Sequence, residues 1–142
     1  MSGLEYMQAM RDGHLPPPPI ATFMGFRLTE AEDGHAVFEG ASSHEHTNPM
    51  GTTHGGWYGT LLDSALGCAV MTKLPKGKAY TTLEYKVNLV RAIPTGILAH
   101  AVGTAQHVGR STGVATAELR GADDGRLYAT ASTTCIVMAL PD

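Results

Sequence analysis

The chain has 142 residues, 43% apolar and 16% charged, with ten Lys and Arg against thirteen Asp and Glu. That length accommodates one domain with its own core rather than two; 17 Gly and 8 Pro argue against a long helical bundle, and a net charge of −3 argues against a general nucleic-acid binder. No apolar stretch reaches the roughly 18 residues of a transmembrane span, and the opening MSGLEYMQAMRDGH lacks the apolar core of a signal peptide. The expectation is a soluble cytoplasmic protein that engages neither membrane nor nucleic acid.

In chain order, Leu4, Met7 and Met10 or Arg11 stand at near-helical spacing and predict a short N-terminal helix, which Pro16 to Pro19 end in an extended connector. From Phe23 to Ser42 the pattern predicts two short strands around a turn at Glu32, Asp33 and Gly34, with Val37 and Phe38 supplying β propensity. Ser43 to His54 is polar, and Asn48-Pro49 and Gly51 make it a loop, long enough to suggest a functional role. Leu61, Leu62, Ala65, Leu66, Ala69 and Val70 then fall at i, i+3, i+4 spacing and predict one long buried helix from Gly55 or Gly56 to about Lys73, stopped by Pro75 and Gly77.

Four β-rich segments follow, over residues 79–92, 97–108, 112–120 and 126–138. In the first, alternation assigns Leu83, Tyr85, Val87 and Leu89 to one face and Thr82, Glu84, Lys86 and Asn88 to the other. The breaks at Pro94-Thr95-Gly96, Gly109-Arg110-Ser111 and Asp123-Asp124-Gly125 all read as hairpin turns. One buried helix with an antiparallel sheet makes an α+β domain in which the sheet curls around the helix. Cys68 and Cys135 both sit in apolar runs and are expected as buried free thiols, with no CxxC pair.

Asp63 is the charged residue of the long helix, with Gly59 and Gly67 one turn away on either side. Each glycine costs a helix about 1 kcal/mol relative to Ala, so either close packing or a ligand should compensate; a solvent-facing Asp is the competing reading. His54-Gly55-Gly56 enters that helix, where uncovered amide hydrogens can stabilise an oxyanion. Gly55 and Asp63 lie about 12 Å apart along the axis at ~1.5 Å per residue, far for one reacting carbon. A two-fold dimer bringing Asp63 of one chain to the partner's Gly55 amide solves this. His44, Glu45, His46 and His54 lack a specific metal-ligand spacing and read as a solvated loop, although a metal-dependent hydrolase built on His44 and His46 is a further reading. No G-x-S-x-G elbow is present. Arg91 and Gly109-Arg110-Ser111 are candidate phosphate contacts.

Asn48, then His54-Gly55-Gly56, then Asp63 within LLDSALG, followed by YTTLEYKVNLVRAIPTG, resemble the hotdog-fold acyl-CoA thioesterases of the phenylacetate-degradation type, from about Pro17 through Val137. The resemblance implies a long central helix wrapped by a curved antiparallel sheet, a thioesterase domain over 20–142 preceded by the helix and proline connector of 1–19, and homodimers or homotetramers with sites between subunits. It also implies hydrolysis of an acyl-CoA to a carboxylic acid and coenzyme A with no metal or cofactor. Carried over, Asp63 is the general base or nucleophile, and the Gly55 amide, aided by Gly56, polarises the carbonyl. Asn48 positions water or carbonyl, and His54 holds the loop and the thioester end. A strand Ser or Thr corresponds to Thr82, with Thr81 as the alternative. Arg91, Gly109, Arg110 and Ser111 would meet the coenzyme A phosphates. Trp57-Tyr58 after HGG departs from the usual small residues and implies a differently shaped acyl pocket. The alternative function is a non-catalytic acyl-CoA or small-ligand binding protein on the same fold.

Overall fold

A computed structural model describes residues 1–141. The elements are α1 (Gly3–Arg11), α2 (Pro19–Met24), β1 (Phe26–Glu32), β2 (His35–Gly40), a 3-10 turn (His44–His46), α3 (Gly55–Met71), β3 (Lys78–Leu89), β4 (Ala99–Val108), β5 (Thr112–Gly121) and β6 (Leu127–Ala139). The six strands form one antiparallel sheet in the order β1-β2-β4-β5-β6-β3. This is the expected α+β arrangement: α3 lies along the inner face, touching β2 through β6. Leu61, Leu62, Leu66 and Val70 of α3 are completely enclosed, as are Ile93 and Leu119, and each such side chain contributes roughly 1.5–3 kcal/mol of burial.

Helix and sheet come close because the strands give up side chains where they cross the helix backbone. A Cβ at Gly103 of β4 would overlap the Ala65 carbonyl, and one at Gly113 of β5 would come within 2.7 Å of Val70. The β1–β2 turn at Asp33 and Gly34 is tied to the far end of α3: the Gly34 N–H donates to Thr72 Oγ1 at 2.8 Å and Lys73 Nζ to Asp33 Oδ1 at 3.0 Å. α1 opens with a capping box between Ser2 and Glu5. It docks on the same end, its Gly3 N–H donating to the Leu74 carbonyl at 2.9 Å, and Met7 is buried.

Three expectations are corrected. Phe23 and Met24 belong to α2, not to a strand: Pro19 stands at the first position of this short helix, where its fixed φ and missing N–H cost nothing, and Gly25 closes it in the left-handed conformation. Pro94-Thr95-Gly96 is not a hairpin turn. β3 lies beside β6 at the sheet's edge, with β5 and β6 between it and β4, so residues 90–98 cross the end of the sheet. The crossing is pinned: Tyr58 Oη donates to the Arg91 carbonyl (2.9 Å) and accepts from the Ile93 N–H (2.7 Å), Thr53 Oγ1 donates to the Ile93 carbonyl (2.8 Å), and the Gly96 N–H donates to the Ser42 carbonyl.

Leu83, thirdly, does not share a face with Tyr85, Val87 and Leu89. Thr82 pairs with Cys135 and Glu84 with Thr134, so Leu83 is the extra residue of a β-bulge. The bulge flips the alternation, placing Tyr80 and Thr82 before it, and Tyr85, Val87 and Leu89 after it, on the helix side. Thr133 Oγ1 holds it by donating to the Glu84 carbonyl at 2.6 Å.

Candidate active site

Gly59, Asp63 and Gly67 form one stripe along α3, four residues apart, and β3 lies over it in the opposite direction. The Tyr85 ring covers Gly59, where an added Cβ would sit 3.3 Å from Oη. Thr82 Oγ1 donates to Asp63 Oδ1 at 3.0 Å. The Tyr80 ring covers Gly67 so closely that a Cβ there would come within 2.6 Å of Cζ. The helix glycines are therefore explained by packing: each receives a tyrosine, and the carboxylate between them meets a hydroxyl. This register depends on the bulge, since unbroken alternation would turn Thr82 away from the face that carries Tyr85.

Asp63 is half-buried. Loss of solvation pushes its carboxyl above the ordinary aspartate range, and the Thr82 hydroxyl opposes part of that rise. With Oδ1 engaged by Thr82, Oδ2 is the oxygen available to water or substrate. Thr81 is exposed and on the opposite side of β3, paired with Ile136. Between the two threonines offered by the sequence, the geometry brings only Thr82 to Asp63. Burial pushes the neighbouring Cys68 thiol up to about 12 and holds the Tyr80 phenol well above its usual range, so both stay neutral. Cys68 and Cys135 are both free.

At the helix entrance, His54 is the N-cap: its Nδ1 accepts from the Gly56 N–H at 2.7 Å and its carbonyl from the Trp57 N–H at 3.0 Å. The Gly56 amide is thus already occupied. Gly55, the first residue of the helix, has no acceptor for its N–H among the described residues, leaving it as the open oxyanion donor. Leu89 of β3 touches this glycine, where an added Cβ would lie 2.9 Å from Cδ1. Trp57 and Tyr58, which stand where small residues were expected, are buried; Trp57 Nε1 donates to the Met24 carbonyl at 2.8 Å, and Tyr58 pins the 91–93 crossing.

Asn48 closes its own loop. Its Oδ1 accepts from the Met50 and Thr52 N–H groups, and Nδ2 donates to Thr52 Oγ1 at 2.8 Å; its second Nδ2 hydrogen is what it can offer a ligand. His46 is similarly engaged, with Nδ1 facing the Ser43 N–H and Nε2 the Phe23 carbonyl. Among the described residues no group of three His, Cys, Asp or Glu side chains is placed to hold a metal ion.

The two candidate phosphate contacts lie apart. The chain at Arg91 hydrogen-bonds the Tyr128 carbonyl, whereas the Gly109-Arg110-Ser111 turn sits beside Thr112, which pairs with Ile136. Eight residues of β6 separate those levels, about 26 Å at roughly 3.3 Å per residue. Arg91 and Arg110 of one chain therefore stand at opposite ends of the sheet. Tyr80 and Tyr85, which shape the site, were missed by sequence reasoning; the signal was there, because two helix glycines eight residues apart call for two large side chains on whatever strand crosses them.

The sequence profile of the thioesterase superfamily matches residues 50–128, which include Gly55, Asp63 and Thr82. A thioesterase family protein from Silicibacter pomeroyi is 25% identical, with 94% of this chain and 98% of that chain covered and a TM-score of 0.83. A phenylacetic acid degradation-related protein from Ralstonia eutropha JMP134 is 27% identical, covering 92% and 98%, also at 0.83. The Escherichia coli PaaI protein from the phenylacetic acid degradation operon shares the fold at a TM-score of 0.84 over 99% of this chain and 100% of that one, with 18% identity. A curated Caenorhabditis elegans relative named "Putative esterase F42H10.6" is 29% identical over 100 residues, 70% of this chain, and the match spans 59% of that protein's length.

Proposed function

This chain belongs to the thioesterase superfamily, and from that premise we propose that it hydrolyses acyl-CoA thioesters, using Asp63 as general base and the Gly55 amide as oxyanion donor, within a dimer or tetramer of the chain in the cytoplasm. Residues 20–142 form the catalytic domain in this reading, and 1–19 its N-terminal helix and connector. The observation that carries it is the half-buried Asp63 carboxylate, raised in pKa by burial and oriented by Thr82 at 3.0 Å, on a helix that opens with a free Gly55 N–H.

A thioester is an activated acyl group, so a positioned water, a base and an oxyanion site suffice. Water held at Asp63 Oδ2 attacks the carbonyl carbon while its proton passes to the carboxylate. The carbonyl oxygen, becoming an oxyanion, takes the Gly55 N–H. Collapse breaks the C–S bond, and the departing thiolate receives the proton from Asp63. Asn48 directs its second Nδ2 hydrogen to the carbonyl or the water, and His54 keeps the helix entrance in shape. Arg91, or Arg110 with Gly109 and Ser111, meets the coenzyme A phosphates.

Two features of β3 support the dimer. Its outer edge is unpaired among the described residues, and Leu83 (58% exposed), Tyr85 (45%) and Leu89 (55%) lie along it; a long apolar edge invites another strand. Thr82 marks the level of Asp63 on this strand and Leu89 the level of Gly55. Antiparallel pairing of two β3 strands about a two-fold near Tyr85 and Lys86 sets Thr82 opposite the partner's Leu89, and hence Asp63 opposite the partner's Gly55. It also draws the Arg91 end of one sheet toward the Arg110 end of the other.

The experiment is hydrolysis of a panel of aryl- and fatty-acyl-CoAs, followed by thiol release. Turnover of at least one ester by the wild type and its loss in Asp63→Asn is the expected result. Wild-type turnover in Asp63→Asn on every ester overturns the role of Asp63; saturable binding of the esters without thiol release favours the non-catalytic alternative. A single turnover in ¹⁸O-water that labels Asp63 would overturn the base role in favour of a nucleophile.

A further inference from the structure

A cavity of about 500 Å³ lies between α1, the middle of α3 and the start of β3. Its walls include Met7 and Met10 of α1, Cys68 and Met71 of α3, Phe38 of β2 and Tyr80 of β3. The size lies within the roughly 300–1,000 Å³ of small-molecule sites. We infer that this cavity receives the acyl group of the thioester substrate, which passes the Tyr80 ring on its way from Asp63. This rests on the proposed hydrolase reading and names the substrate class it serves: esters whose acyl part is long or bulky enough to run under the N-terminal helix.

Proximity to the site carries the inference. Ser64, the residue after Asp63, lines the cavity, as does Tyr80, whose ring covers Gly67 one turn beyond Asp63, about 6 Å along the axis. A carbonyl held at Asp63 therefore has the cavity one helical turn away, in the direction opposite to the helix entrance. Chemistry selects the occupant. Three of the named walls are methionines, whose flexible, polarisable chains adapt to alkyl and aryl groups. Ser2, Tyr6, Ser64, Lys78 and Tyr80 are the polar members of a lining that is otherwise apolar, so an alkyl or aryl group meets mostly carbon and sulfur there. Away from Lys78, a phosphate placed there would lose its hydration against thioethers and rings.

The N-terminal helix thereby becomes part of the binding site. It is fixed rather than draped: the capping box orders its first turn, and Gly3 lies against the Met71 carbonyl so closely that a Cβ would overlap it. Met10, half-buried on this helix, presents its side chain to the cavity and is the natural position for altering cavity size.

The test measures kcat/KM of wild type, Met10→Trp and Met10→Ala on acetyl-, hexanoyl-, decanoyl- and phenylacetyl-CoA, together with binding of dansyl-labelled undecanoic acid. Filling the cavity with Trp should lower the decanoyl-to-acetyl ratio about tenfold or more, the scale on which an apolar pocket discriminates methylenes, and should weaken probe binding; enlarging it with Ala should move the ratio the other way. An active wild type with unchanged ratios and unchanged probe binding in both variants overturns the cavity assignment and leaves the hydrolase reading intact. A wild type that releases no coenzyme A from any ester, yet binds the probe in a Met10-dependent way, overturns the hydrolase reading and retains the cavity as an acyl-chain site. Should Met10→Trp fail to fold, as judged by circular dichroism, the Met10→Ala ratio decides the matter.

Discussion

The two sides of α3 use glycine in opposite ways. Toward β4 and β5 the glycines are on the strands: Gly103 and Gly113 let the sheet reach the helix backbone at Ala65 and the side chain of Val70, and the result is a buried apolar core. Toward β3 the glycines are on the helix: Gly59 and Gly67 let tyrosine rings of the strand come down, and between them Asp63 stays half-exposed beside a hydroxyl. A strand glycine brings backbones together and leaves no room for chemistry. A helix glycine hands its space to the neighbouring strand's side chain, and that side chain shapes a pocket.

The comparison can be broken or sharpened by substitution. Asp63→Asn should have the largest effect, a loss of about 10²–10⁴ in kcat/KM on the best ester of the panel, with the fold kept. Its effect on stability runs the other way. Because the folded carboxyl titrates above its unfolded value of about 3.9, the wild type loses stability as pH rises from that value through the folded titration. Asp63→Asn, neutral throughout, escapes this loss. Urea unfolding at neutral pH should show the variant at least as resistant as wild type, and a lower midpoint would count against a desolvated carboxylate.

Gly103→Ala comes next. Its Cβ meets the Ala65 peptide, which cannot rotate away, so destabilisation of about 1–3 kcal/mol or more is expected, read as a drop in the urea midpoint. Gly67→Ala is intermediate, since the Tyr80 ring must shift at a similar cost while the helix gains about 1 kcal/mol in propensity. Its activity on long acyl-CoAs should change more than its stability. Gly59→Ala, whose new Cβ stays 3.3 Å from the Tyr85 hydroxyl, should be close to neutral in stability; a loss as large as that of Gly103→Ala would end the distinction between the two sides.

Thr82→Val should have the mildest effect on turnover, about tenfold on kcat/KM, as removal of one hydrogen bond to a charged group implies. It carries a diagnostic. The Thr82 hydroxyl lowers the Asp63 pKa against the upward push of burial, so removing it should shift the acidic limb of the pH profile upward. An unmoved limb would show that the threonine positions nothing at the carboxylate.

Much of this architecture was legible in the residues because it depends on local pattern. The helix from Gly55 follows from the spacing of Leu61, Leu62, Leu66 and Val70, and the strand segments follow from alternation and turn residues. Asp63 stood out as a charge between two glycines. What the pattern misplaced depended on contacts between distant segments. One β-bulge at Leu83, held by Thr133 fifty residues on, exchanged Leu83 for Thr82 on the helix face. The turn chemistry of Pro94 to Gly96 is the same whether a chain reverses or crosses; the pairing of β3 with β6 makes it cross, and Tyr58 and Thr53 hold the crossing in place.

By itself, then, the sequence determined that a long apolar helix carries a carboxylate between two glycines, behind a His-Gly-Gly entrance and before four strand segments, because periodicity and turn preference are properties of neighbours in the chain. Tertiary structure decided which strand crosses that stripe, which of Thr81 and Thr82 reaches the carboxylate, and which of Gly55 and Gly56 keeps a free amide. Those outcomes rest on register and on competing hydrogen-bond partners, and a partner from another segment exists only once the chain has folded.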